Sequence, residues 1–257
     1  MKRPEELVQA LTAAVPKGIR SIVLYGSAAA GDHQERRSDY NVMVILDELD
    51  LGALQAMAPV SRQWQRAGNP APLLFTLDRL RRSSDVFPIE IRDLQDRHRV
   101  LFGEELLLDI EIDLANLRRE LEHELEANLV RLRQGYLLVA DKPAKVWDLI
   151  EDSLSTFLVL IRAALRLYGG PVPADKLQSP PLLAARMTYD HEVFLELEGL
   201  RRRGEKPPKA EIAARFARYL AAVEQLLNAV DAFEVGRSRG AAPAAPAGGE
   251  DPRPATG

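Results

Sequence analysis

Apolar residues recur at two different periods along the first hundred or so positions, and at only one period after that. Glu6 to Val15 repeats them at helical spacing until Pro16-Lys17-Gly18 stops the run. Ser21-Ile22-Val23-Leu24-Tyr25 is a short apolar strand ended by Gly26-Ser27. Ala28 to Ala30 restart a helix, and a polar loop from Asp32 to Arg37 leads to a second strand, Tyr40 to Leu46. There Val42, Val44 and Leu46 share one face and Met43 and Ile45 the other, so the strand is central and covered on both sides. Leu49 to Arg66 reads as a helix despite Gly52 and Pro59. Leu73 to Thr76 and Phe87-Pro88-Ile89-Glu90-Ile91 are two further strand candidates.

From about residue 112 the helical period stands alone. Leu114, Leu117, Leu121, Leu125, Leu129 and Leu132 line one helix. Val146 to Leu165 line a second, closed by Gly169-Gly170-Pro171. A third runs from Leu182 to about Arg203, and a fourth carries Ile212, Phe216, Leu220, Val223, Leu227 and Val230. Short Pro/Gly turns between them predict an antiparallel bundle. The fold class expected is therefore α/β in the α+β sense. A small mixed-sheet domain spans residues 1–110, a four-helix bundle 111–235, and an Ala/Pro/Gly tail, 236–257, cannot bury apolar surface and is expected to be disordered.

Composition narrows the chemistry. The 257 residues are 46% apolar and 28% charged, a globular balance, and contain no cysteine, which removes disulfides, thiolate catalysis and iron–sulfur clusters together. Four scattered histidines leave little for zinc, so a metal would take oxygen ligands. A net charge of −4 argues against a surface built for nucleic acid. No apolar run is long enough to span a bilayer and no apolar signal core follows Met1 to Glu6, so a cytoplasmic protein is expected.

The informative segment is Leu24-Tyr25-Gly26-Ser27, then eleven residues, then Asp39-Tyr40-Asn41-Val42. A strand ending in Gly-Ser and entering a helix offers free N–H groups and a hydroxyl to an anion, and glycine lets a phosphate approach the backbone. Residues 39 and 41 of the next strand point to the same face. Acids so placed hold Mg²⁺ beside phosphates, and Glu90, the lone acid of its strand candidate, is the best third ligand.

Those residues resemble the nucleotidyltransferase superfamily, the fold of DNA polymerase β and kanamycin nucleotidyltransferase, and a sheet domain followed by a bundle is similar to such proteins of bacteria. The resemblance implies transfer of a nucleoside monophosphate from ATP or another NTP to a small-molecule or protein acceptor, with Mg²⁺. It implies that Gly26 and Ser27 hold the phosphates, that Asp39 is the first metal ligand and that Glu90 matches the third carboxylate. Ser38 joins the nucleotide contacts, and Arg36 and Arg37, in the loop before Asp39, reach the triphosphate or face solvent as an ordinary loop. Asn41 stands where the family has its second carboxylate. An amide oxygen can coordinate Mg²⁺ but brings no charge, and a loss of several kcal/mol of charge stabilisation would cost ~10²–10⁴ in rate.

Asn41 thus also supports a second reading, a nucleotide-binding or interaction module without turnover, of the toxin–antitoxin kind, with a homodimer or partner protein open. A third is a HEPN-type ribonuclease, whose Arg, four to six residues, His motif fits Arg186 and His191, but equally Arg118 and His123 or Arg92 and His98. Asp32 and Asp93 are auxiliary acids or turn caps, and His98 reads as structural. Glu151 and Asp152 are the bundle acids considered as a general base.

Overall fold

The computed structural model describes residues 3–26, 28–29, 39–173 and 175–234. The chain runs α1 (Pro4–Ala14), β1 (Ile19–Tyr25), β2 (Asn41–Leu46), α2 (Leu51–Arg66), β3 (Leu73–Thr76), α3 (Leu77–Arg82), α4 (Pro88–Asp96) and β4 (His98–Gly103). There follow α5 (Leu114–Val139), α6 (Pro143–Leu167), α7 (Ser179–Ala184), α8 (Glu192–Arg203) and α9 (Lys209–Asp231). The sheet has the order β3-β2-β1-β4; β1 is antiparallel to both neighbours, and β2 and β3 are parallel. It is a small mixed sheet with β2 inside it, as the two-faced apolar pattern of residues 42–46 requires.

Alternation along the strands divides their side chains between two cores. Ile22, Leu24, Val42, Val44 and Leu46 meet Leu7 and Leu11 of α1 and Met57 and Trp64 of α2. On the opposite face Val23, Met43 and Ile45 lie under Leu80 of α3, Ile91 and Leu94 of α4, and Leu106, Leu107 and Ile110 of the following loop. Full burial of each such side chain contributes roughly 1.5–3 kcal/mol. β4 closes on β1 through Gly103, at φ +79, where an added Cβ would stand 2.0 Å from the Arg20 carbonyl oxygen. No side chain fits there.

The bundle has its own core. The Leu117, Leu121, Leu125, Leu129 and Leu132 stripe of α5 packs with α6 and α9, and every residue of α6 from Leu160 to Leu167 is buried. Tyr219 of α9 meets Phe157 edge-on at 5.7 Å and lies 3.1 Å from the Ser153 hydroxyl, which satisfies the buried phenol.

Three expectations change. Phe87 to Ile91 is not a strand: Pro88 occupies the first turn of α4, and Ile91 and Leu94, three apart, enter the sheet core while Ile89 enters the bundle core. The fourth strand is instead His98–Gly103. The third bundle helix is broken into α7 and α8, because the Asp190 carboxylate accepts the Val193 N–H at 3.3 Å and starts a new helix there. Ala28 and Ala29, expected with Ala30 to restart a helix, form a turn in which the Ala29 N–H donates to the Gly26 carbonyl; Ala30, the Asp32 to Arg37 loop and the tail beyond 234 lie outside the described residues.

Candidate functional site

β1 ends at Tyr25, and the first residues of both its neighbours pair with it: Asn41 of β2 on one side, His98 of β4 on the other. Directly paired residues point to the same face, so Tyr25, Asn41 and His98 gather at one end of the sheet on the side of α4. Gly26 follows at φ +78, with its N–H donating to the Arg97 carbonyl at 3.0 Å and its own carbonyl accepting the Ala29 N–H at 3.1 Å. A Cβ on Gly26 would lie 3.6 Å from Asn41 Nδ2, an ordinary contact, so the left-handed backbone and not lack of room calls for glycine.

Asp39 is exposed, two residues ahead of Asn41. Between them Tyr40 donates its N–H to the buried Asn69 Oδ1 at 3.0 Å, and its ring lies 6.1 Å from Trp64, on the α2 side of the sheet. Asn41, paired with Tyr25, lies on the opposite face, that of Tyr25 and His98. The glycine corner and Asn41 therefore converge, with Asp39 two residues ahead of Asn41 in the chain.

Glu90 does not join them. Its strand placement is overturned: it is exposed in the first turn of α4, seven residues and about 10 Å along the helix from Arg97, the residue that touches Gly26. There it faces Glu120 of α5, whose Oε2 accepts the Ile89 N–H at 2.9 Å. Burial pushes the Glu120 carboxyl up to about 7; the Ile89 N–H opposes the shift, while Glu90 and Glu124 add to it. Ser27, Arg36, Arg37 and Ser38 lie outside the described residues. Glu151 and Asp152 sit on α6 some ten residues, about 15 Å, before Arg162, which packs at the α4 seam, and so stand away from the corner.

His98 and Asp93, read from the sequence as structural or capping residues, stand near the corner with partners that the sequence did not name. His98 places Nδ1 3.0 Å from the Gln95 carbonyl and Nε2 2.7 Å from Glu105 Oε2. Burial works against the Glu105 carboxylate, but hydrogen bonds from His98 and the Leu107 N–H hold it below the usual range. Behind α4, Asp93 and Asp96 face Arg162 and Arg166 of α6. The signal was present: two arginines four apart in the otherwise apolar run Leu158 to Leu167, and two aspartates three apart in a segment that forms a helix.

Of the histidine pairs of the ribonuclease reading, two are split between elements, while Arg118 and His123 share α5. Arg186 lies after α7 and His191 just before α8, so no single helix carries both. Arg118 donates to the Val230 and Asp231 carbonyls at the end of α9 at 3.2 and 2.6 Å. Arg92 lies on α4 and His98 on β4.

Volume alone does not locate the site. A hollow of about 790 Å³ lined by Lys17, Gly18, Asp47, Glu48 and Asp50 opens at the opposite end of the sheet, beside the start of β1 and the end of β2. As metal donors, Asp39 and Asn41 supply one carboxylate and one amide oxygen; β3 and β4 carry no acid, and no group of three acid or histidine side chains gathers among the described residues. That set fits a single Mg²⁺ that arrives with phosphate oxygens of its own. It does not fit two ions caged by protein carboxylates.

No protein-family model matches the chain, and no curated protein matches it in sequence. Among solved structures it is similar to the crystal structure of spectinomycin adenyltransferase AAD(9) from Enterococcus faecialis with ATP and spectinomycin. The TM-score is 0.52 at 13% identity, covering 88% of this chain and 97% of that one. The likeness spans sheet and bundle together: the chain has the kanamycin nucleotidyltransferase-like fold.

Proposed function

We propose that a chain with this fold binds ATP or a related nucleoside triphosphate on the Gly26 corner and transfers its nucleoside monophosphate to a hydroxyl of a second substrate. One observation supports the reading: the open glycine turn and Asn41, two residues after Asp39, meet at the same end of the sheet. The backbone at Gly26 admits a phosphate without a Cβ in its way, and in this reading Asp39 supplies the negative charge beside it. Asp39, with the Asn41 amide oxygen, would hold a Mg²⁺ delivered with the nucleotide, which supplies neutralisation of phosphate charge. The acceptor oxygen bonds to the α-phosphorus, the α–β bridging bond breaks, pyrophosphate leaves, and the hydroxyl proton passes to solvent. The protein contributes position and electrostatics rather than a covalent step.

Pyrophosphate release from ATP in the presence of candidate hydroxyl acceptors tests this, with spectinomycin, the molecule bound by the similar structure, tried first. Release by the wild type that Asp39→Ala abolishes supports the transferase. Asn41 favours a second reading, a site that binds nucleotide and does not turn it over. Activity that appears only in Asn41→Asp would establish that reading in place of the first.

A further inference from the structure

The seam between α4 and the bundle buries charge where hydrocarbon would serve packing better. The side chains of Arg162 and Arg166 are 6% and 4% exposed, against 34% and 30% for Asp93 and Asp96. Arg166 donates through Nε and Nη2 to Asp96 Oδ2 at 3.0 and 2.7 Å, and Nη2 also donates to Asp93 Oδ1. Arg162 stands behind, 3.8 Å from Asp93 and 3.9 Å from Asp96. Desolvation of such groups consumes most of their attraction, so a well-packed apolar pair would hold the two layers at least as strongly. What the charges add is direction: a planar fork gripping two carboxylates fixes the helix that carries them in rotation and in height.

That helix leads straight to the corner. The Asp93 carbonyl accepts the Arg97 N–H at 3.1 Å, and the Arg97 carbonyl accepts the Gly26 N–H at 3.0 Å. The next residue, His98, opens β4 and pairs with Tyr25, the residue before the glycine. We infer that Arg166 is a positioning residue for the nucleotide site: by locking Asp93 and Asp96 to α6 it sets where the end of α4, and with it the Gly26 turn, stands. The inference rests on the reading that nucleotide phosphates sit on that turn. It also gives the bundle a part in the sheet's chemistry without contact with the nucleotide.

Asp96→Asn removes one charge of the clamp while keeping its shape, and Arg166→Lys keeps the charge while losing the fork. Val223→Ala, in the bundle core far along α9, serves as a destabilised control. Exchange of the Gly26 amide with deuterium, read by NMR, and the affinity for MgATP are measured on all three and on the wild type. Both seam variants are expected to speed Gly26 exchange and to weaken MgATP roughly tenfold, the scale of a small misplacement at a reacting centre. Val223→Ala, at an equal or larger loss of Tm, is expected to change affinity less than about twofold, as for sites that share no partner. An unchanged Gly26 amide in the seam variants, or an equal loss of affinity in the control, overturns the inference. If the seam variants free the Gly26 amide while the wild type binds no MgATP, the mechanical link stands and the nucleotide reading falls.

Discussion

The bundle interior and the seam beneath α4 both bury side chains of α6, yet they are made of opposite materials. Around α6, Ile150, Leu154, Phe157, Leu158 and Ile161 are fully buried among other hydrocarbon, with the Ser153–Tyr219 contact as a polar exception. Directly after Ile161, the same helix buries Arg162 and Arg166 against aspartates. Hydrocarbon contact is strong but directionless, and it tolerates repacking. Fork-shaped ion pairs add little net stability and much geometry. The first region holds the molecule together; the second is suited to holding one part of it in one place.

The comparison can be broken most forcefully in the hydrocarbon. Phe157→Ala should cost about 3–5 kcal/mol in urea denaturation, and a loss below about 1 kcal/mol would deny the bundle its role as the main store of stability. Gly103→Ala comes next, at about 1–3 kcal/mol, since its Cβ meets the Arg20 carbonyl and β4 must shift away from β1. Gly26→Ala should cost only about 1–2 kcal/mol from its left-handed backbone, because the space beside it is adequate. Its loss of MgATP affinity should exceed what that strain explains; equal losses at Gly26 and at Gly103 would remove the distinction between a binding turn and a structural one.

The smallest effect is a pH dependence at the far end of α4. Glu120 titrates near 7 in the fold against an ordinary value of 4.5, so its folded-state pKa is raised. Its neutral form favours folding fully below pH 4.5, and that contribution is lost as pH rises to about 7. The half-exposed carboxyl makes the effect modest. Tm measured across this window should fall more steeply for the wild type than for Glu120→Gln, and parallel curves would show that burial does not raise the Glu120 carboxyl.

Much of this was legible in the amino acids, and the failures have a common cause. Residues 42–46 announced a central strand because both faces are apolar, and the long leucine stripe of α5 announced a bundle helix because one face is. Phe87-Pro88-Ile89-Glu90-Ile91 misled because α4 lies between two cores: Ile89 faces one and Ile91 the other, which imitates the alternation of a strand. The true edge strand, His98 to Gly103, was hidden by His98 and Arg99, whose polarity suits an edge. That Gly26 and Asn41 come together was legible because a short stretch of sequence joins their two neighbouring strands. Arg166 and Asp96 lie seventy residues apart, and nothing in a single sequence says that one helix end will meet the other.

The central claim, that the Gly26 turn and Asp39 form one nucleotide site, is tested most directly by calorimetric titration of MgATP into the wild type and Asp39→Ala, with no acceptor needed. Saturable binding in the wild type that weakens by tenfold or more in Asp39→Ala, about 1.4 kcal/mol, is the predicted result. No heat from the wild type at millimolar MgATP, or binding that Asp39→Ala leaves untouched, would contradict it.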